Sequence, residues 1–182
     1  MRGKGYANIP CDIHILKENN IPYSWNTLRV AKKYNLIDNS QVSDYAIEYL
    51  SEHSQETNQY IAELVCCDKT TDIDDVLDKV ADNFDGKIDH DSTEWELEKR
   101  KLRFCVLNYL QQHVSDAREL LDKIALVHDD FGFPKDMEDF IYYMPAKEFN
   151  PLEYSEKECR NRLVRLFEDF LSNEKNFLIK NK

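Results

Sequence analysis

The chain has 182 residues, 42% of them hydrophobic and 32% charged. That is a globular composition of one-domain size, able to bury roughly 70% of the surface its unfolded form exposes. Thirty-five acids against 24 bases leave a net charge of −11, which argues against a nucleic-acid partner, because Lys and Arg supply most of the affinity for phosphate backbones. It favours a basic protein partner or simple solvation.

No run of 18 apolar residues is present, so no membrane span is expected. The opening MRGKGYANIP lacks the apolar core of a secretory signal. The five cysteines (Cys11, Cys66, Cys67, Cys105 and Cys159) are odd in number and contain no CxxC pair. They read as reduced thiols of a cytoplasmic protein, several of them buried, rather than as a disulfide framework or zinc site.

Residues 1–10 read as a flexible N-terminal tail and 11–182 as a single helical domain. Gly3 and Gly5 sit in the tail, so only Gly86 and Gly132 punctuate the body. No Asn-Gly or Gly-rich hairpin turn is available. Apolar residues recur at three- and four-residue steps instead: Val42, Tyr45, Ala46, Tyr49 and Leu50; Ile73, Val76, Leu77, Val80 and Phe84; Leu163, Leu166, Phe167, Phe170 and Leu171. Thr93 with Glu96, and Ser155 with Glu158, read as capping boxes. Ser24, Ser40, Asp72, Ser115 and Asp136 read as further N-caps. These signals predict helices near 12–20, 25–36, 41–53, 56–67, 73–84, 94–113, 116–130, 136–144 and 156–171. The expected fold is all-α, about nine helices packed as antiparallel pairs.

Two patterns suggest metal chemistry. His90-Asp91 and His128-Asp129, with His53 and His113 upstream and Asp139 downstream, offer the residue types of the all-helical His-Asp phosphohydrolases. Each dipeptide also has a structural reading: Asp91 as a turn residue before a helix, His128 as a cation at a helix C-terminus. NFDGKID (83–89) mimics the centre of a calcium loop, but Ala81 and Ser92 stand where the first ligand and the bidentate Glu belong. A helix end followed by an Asp-Gly turn accounts for it better. No GxSxG elbow, SxxK pair or Gly-rich phosphate loop occurs. No metal, cofactor or catalytic residue is expected.

Two acidic features remain as candidate partner-binding surfaces. From Asp68 to Asp91 nine aspartates face three lysines. At 100° per residue, Asp74, Asp75, Asp78 and Asp82 fall opposite the apolar stripe of helix 73–84. The run His128–Pro145 (HDDFGFPKDMEDFIYYMP) combines five acids with five aromatics. Asp129, Asp130, Asp136, Glu138 and Asp139 would rim a patch in which Phe140 and Met144 turn inward and Tyr142 or Tyr143 faces out. Gly132 and Pro134 read as a helix stop with a new start at Asp136.

The segments IPYSWNTLRVAKKYNLI (21–37), SDYAIEYL (43–50), EKRKLRFCVLNYL (98–110) and HDDFGFPKDMEDFIYYMP (128–145) resemble a bacterial family built on a domain of unknown function. That family is grouped with immunity proteins of polymorphic toxin systems. The resemblance covers 15–172 and is carried by Trp25, Arg100-Lys101 and the DFGFPKDM…YMP corner; it brings no catalytic residues. It implies a compact, non-catalytic cytosolic protein that neutralises a cognate basic toxin domain by capping its active surface. The alternatives are the His-Asp phosphohydrolase, using His128 and Asp129, and a helical adaptor or scaffold.

Overall fold

The computed structural model describes residues 9–68, 70–147 and 149–181. The expected tail therefore lies outside the described residues up to residue 8, while Ile9 already packs into the core. Eight α-helices follow in order: α1 (His14–Glu18), α2 (Trp25–Lys33), α3 (Asn39–Glu52), α4 (Gln59–Val65), α5 (Asp74–Phe84), α6 (Thr93–His113), α7 (Ala117–Asp130) and α8 (Glu156–Lys180). Two 3-10 helices, Lys135–Phe140 and Pro151–Glu153, lie between α7 and α8. The described residues contain no strand, and no helix among them is long and apolar enough to cross a membrane. The fold is all-α and a single domain.

The middle of the domain is α6. Residues 101 to 107 are all buried, so the middle of this helix is enclosed on every side rather than along one stripe. It packs against α1, α2, α7 and α8. The short link Val114–Asp116 folds α7 back against it, as a short connection between helices requires. On the other side α2 bridges α6 to α5, and α5 leads through α4 to α3. Trp25, Trp95, Phe104, Phe140 and Phe167 are the largest fully enclosed side chains.

Enclosure of α6 also traps charge. Glu98, Lys101 and Arg103 are buried, and each must find a partner inside the protein. Lys101 donates to Glu98 at 2.8 Å. Thr27 of α2 donates to the other Glu98 oxygen at 2.5 Å. The same Thr27 oxygen accepts the Ser24 N–H at 3.0 Å, completing a capping box at the start of α2. Arg100 grips Glu174 of α8 through two hydrogen bonds of 2.8 and 2.5 Å, and Arg103 lies 3.7 Å from the same carboxylate. One buried acid therefore ties α8 to two arginines of α6.

This explains the main departure from expectation. The apolar rhythm of α8 fades after Leu171, so a helix end is predicted there, yet the helix runs to Lys180. The inward positions of its last turns are Glu174 and Leu178, and a carboxylate in a core-facing position is invisible to a hydrophobic count. Several caps also shift by one or two residues. Ser92, not Thr93, accepts the Trp95 N–H; Asp38 replaces Ser40 and Asp116 replaces Ser115, while Asp72 accepts the Asp74 N–H just ahead of α5. Ser24 and the Ser155–Glu158 box stand where expected. The α-helix expected over 136–144 is a tight 3-10 helix that ends at Phe140. Pro145 disfavours helical backbone at the residue before it, and Tyr142 to Met144 form a turn instead.

Cys11 and Cys105 are buried, Cys66 is exposed, and Cys67 and Cys159 are half-buried, all as free thiols. Burial, reinforced by a hydrogen bond with Cys11, holds the Cys105 thiol well above its ordinary pKa.

Removing one member of the Glu98–Lys101 pair should be far worse than removing both. Glu98→Ala strands a buried ammonium and should cost about 3–5 kcal/mol, whereas Glu98→Leu with Lys101→Met should cost much less. Urea unfolding of the two variants provides the comparison, and equal losses would overturn this account of the pair.

Candidate interaction surface

The two acidic features have different fates. On α5, Asp74, Asp78 and Asp82 are spaced four residues apart and so form one row along the helix. That row faces α2. Asp82 accepts a 2.6 Å bond from the buried Arg29, and Lys33 lies 3.9 Å from Asp74 and 3.4 Å from Asp78. The expectation that all four aspartates point away from the packed face is corrected: three of them fasten α5 to α2. Asp75 and Asp82 are the exposed members of the four, and only Asp75 makes no ion pair to α2. Asp74 and Asp75 in the first turn of α5 interact favourably with the helix dipole, as any carboxylate there would.

The loop after α5 is likewise structural. Gly86 adopts the left-handed conformation, φ +83. The preceding Asp85 accepts the Asn26 N–H at 2.7 Å, and the Asn26 amide donates to the Gly86 carbonyl at 3.1 Å. Asp85 thus caps α2 from a distance, and the resemblance to a calcium loop is a by-product of that task.

The corner after α7 is built differently. α7 closes in a Schellman motif: Phe133 N–H bonds the His128 carbonyl at 2.8 Å and Gly132 N–H bonds the Asp129 carbonyl at 3.0 Å. Gly132 takes φ +79, as the motif requires, and Phe133 follows at φ +58. A left-handed aromatic residue is strained by about 1 kcal/mol or more, and its ring is 58% exposed.

The chain then returns toward the core. Met137, Phe140 and Ile141 are buried. Phe140 meets Phe167 and Phe170 of α8 with ring centres 5.7 and 5.0 Å apart. Asp136 accepts a 2.5 Å bond from the buried Arg103, so this predicted rim residue is an anchor. Asp139 pairs with Lys147 at 2.8 Å. Asp129 is exposed, while Asp130 and Glu138 are half-buried.

His128 sits beneath these rings, 1% exposed. Its Nδ1 is 2.9 Å from the Tyr143 hydroxyl, and Phe133 stands edge-on to it at 5.4 Å. Burial pushes the imidazole below its ordinary pKa. Arg103 acts in the same direction, while Glu138, Asp129 and Asp136 pull the other way. The cationic end-of-helix role expected from sequence is therefore corrected: the neutral ring is favoured, and it holds Tyr143 in place. Tyr142 stacks edge-to-face on Tyr143 at 5.4 Å, and both are about half exposed.

Farther along, Leu152 is 94% exposed and Tyr154 is 49% exposed. Phe149 stacks on Tyr154 at 4.7 Å, and the Arg162 guanidinium lies 4.4 Å from the centre of the Phe149 ring. The outcome is two described stretches of chain, 133–147 and 149–154, that display aromatic and aliphatic side chains among acids. Sequence reasoning reached Tyr142 and Tyr143 but not Phe133, Leu152 or Tyr154 as exposed groups. The available signal was the EFNPLEY segment, apolar residues set between Pro145 and Tyr154 outside any helical period.

Three of the other histidines are engaged locally. His53 and His113 stack on Tyr49 and Tyr109 and bond their carbonyls at 2.9 and 2.8 Å, and His90 lies 3.9 Å from Trp95. Among the described residues no three His, Cys, Asp or Glu side chains come together as a metal-ligand group. A larger groove of about 550 Å³ runs between the start of α6 and the end of α8. Several of its polar groups are already committed: a backbone hydrogen bond at Glu94, with the Ser92 and Thr93 side chains, holds the Glu94 carboxyl below its usual range, and Arg100 is bound by Glu174 and covers Phe177 at 3.9 Å.

Two outcomes test this assignment of roles. Asp82→Lys leaves the buried Arg29 without its partner and should cost about 2 kcal/mol, a buried-pair loss reduced by the exposure of Asp82. Asp75→Lys, which only reverses a charge in the first turn of α5, should cost about 1 kcal/mol or less. Chemical denaturation separates the two, and equal effects would contradict the docked row on α5. His128 predicts a pH effect. An unfolded histidine titrates near 6.5, but the folded ring resists the proton. Its contribution to stability is therefore complete at about pH 7 and lost as the pH falls through about 6.5. His128→Gln should flatten that decline in unfolding free energy between about pH 7 and pH 5.5; an unchanged slope would exclude His128 as its source.

Neither the curated proteins nor the solved structures contain a match to this chain. One family model, described as "Uncharacterized protein conserved in bacteria (DUF2247)", matches residues 13–175, from the first turn ahead of α1 into the last turns of α8. The match spans nearly the whole domain, and the chain belongs to this bacterial family.

Proposed function

We propose that this protein is a non-catalytic, immunity-type binding protein that docks stoichiometrically on a cognate basic toxin domain and blocks it. The observation that carries the reading is the Phe133–Tyr154 surface. Four aromatic rings (Phe133, Tyr142, Tyr143 and Tyr154) and Leu152 stand exposed on a segment whose backbone is held by a Schellman motif, the His128–Tyr143 bond and the Arg103–Asp136 pair. Exposed aromatics on a rigid frame lose little conformational freedom on binding and are the residue types that dominate interface energetics.

The charge supports the same partner class. The net charge of −11 steers a basic protein toward the surface and repels acidic ones. With three of its four aspartates engaged by α2, α5 is the weaker docking candidate, and the corner becomes the preferred one. The resemblance to immunity-type families points in the same direction as these residues.

Co-expression with the product of the neighbouring gene tests the reading. Relief of that product's toxicity and a one-to-one complex are expected. Tyr142→Ala together with Phe133→Ala should weaken the complex about 30-fold or more, the loss typical of interface hot spots. Absence of both protection and complex would overturn the proposal.

A further inference from the structure

The chain between Ile141 and Leu163 folds around a cleft of about 140 Å³. Its walls are mostly apolar, from Ile141, Met144, Pro145, Phe149 and Leu163, and Glu138 and Asp139 also line it. A cavity of about 150 Å³ with such walls is large enough to accept a benzene-sized group. The cleft therefore matches one Leu, Met or Phe side chain and is too small for a cofactor.

Its surroundings select what carries that side chain. Residues 129–153 hold seven acids and two lysines. Lys147 is already paired with Asp139, and the Arg162 guanidinium is laid over Phe149. Glu138 makes no ion pair among the described residues. An acidic field with an unpaired carboxylate at an apolar cleft complements a segment in which an apolar residue is flanked by Lys or Arg.

We infer that this cleft is the anchoring pocket of the docking surface, receiving one Leu-, Met- or Phe-sized side chain from a basic segment of the partner protein. This rests on the reading of the corner as a docking face and specifies the chemistry of what docks. Buried aliphatic anchors in such pockets carry a disproportionate share of interface affinity.

The test uses the full chain with labelled methyl groups and three synthetic ten-residue peptides: a central Leu flanked by lysines, the same peptide with Ala for Leu, and Leu flanked by glutamates. The Lys-Leu peptide should shift the Met144 and Leu163 methyl resonances saturably. The Ala peptide should bind about ten-fold more weakly or worse, and the Glu peptide should leave the resonances unmoved. Ala146→Phe, which fills the cleft from its exposed side, should abolish the response at an unchanged melting temperature. Should that variant fail to fold, Glu138→Lys should reverse the preference between the Lys and Glu peptides. Methyl groups unmoved by every peptide, equal responses to Leu and Ala, or an undiminished response in the folded Ala146→Phe protein would overturn the inference. A toxin complex that survives Ala146→Phe would sink the pocket and leave the docking reading intact. A pocket response without any toxin complex would do the reverse.

Discussion

A helix enclosed by its neighbours cannot send a charged side chain to water, and α6 carries Glu98, Lys101 and Arg103 through the middle of this domain. Each has been given a partner, and the partners come from different elements: Thr27 from α2, Glu174 from α8, Asp136 from the corner after α7. Isolated buried ions destabilise strongly, while satisfied ones constrain geometry. Here the constraint is registration. The ion pairs set which turn of α8 meets α6, and they fix the position from which the chain leaves for the corner. The hydrophobic contacts of Phe104, Leu107 and Phe167 supply driving force without that selectivity, because apolar packing tolerates sliding better than a bidentate arginine does.

The corner inherits its order from that core. Arg103 holds Asp136, Phe140 packs on Phe167 and Phe170, and a buried neutral histidine holds the hydroxyl of Tyr143. Every inward contact of the segment fixes the direction of an outward one. That coupling is why a stretch with so little regular secondary structure still presents rings at defined positions, as functional loops on a rigid scaffold do. The α5 helix shows the opposite allocation: it has the greater density of aspartates, and three of the four face Arg29 and Lys33 within the fold.

Much of the helical architecture was legible because apolar residues at three- and four-residue spacing report a buried stripe directly. The scheme failed where polar residues occupy inward positions. Glu174 broke the apparent rhythm of α8, and Arg29 and Lys101 would have been assigned to the surface on residue type alone. Periodicity places Asp74, Asp78 and Asp82 on one row of α5, but it carries no information about which helix lies beside that row. The corner was recognisable from Gly132, Pro134 and Pro145. Its 3-10 geometry, the inward turn of His128 and the exposure of Leu152 all depend on tertiary contacts that no local pattern encodes. No residue-level signal announces that Phe133 will be left-handed, since aromatic residues rarely are.

That backbone conformation sets two requirements against each other at a single position. Glycine or asparagine would relax the chain at residue 133, and a search for more stable variants would be drawn to either. Both would erase the most exposed ring of the corner. The wild-type residue thus marks a point where the optimum for folding and the optimum for the surface diverge. Stabilised forms of this protein obtained without a binding criterion would drift toward losing the aromatic group first.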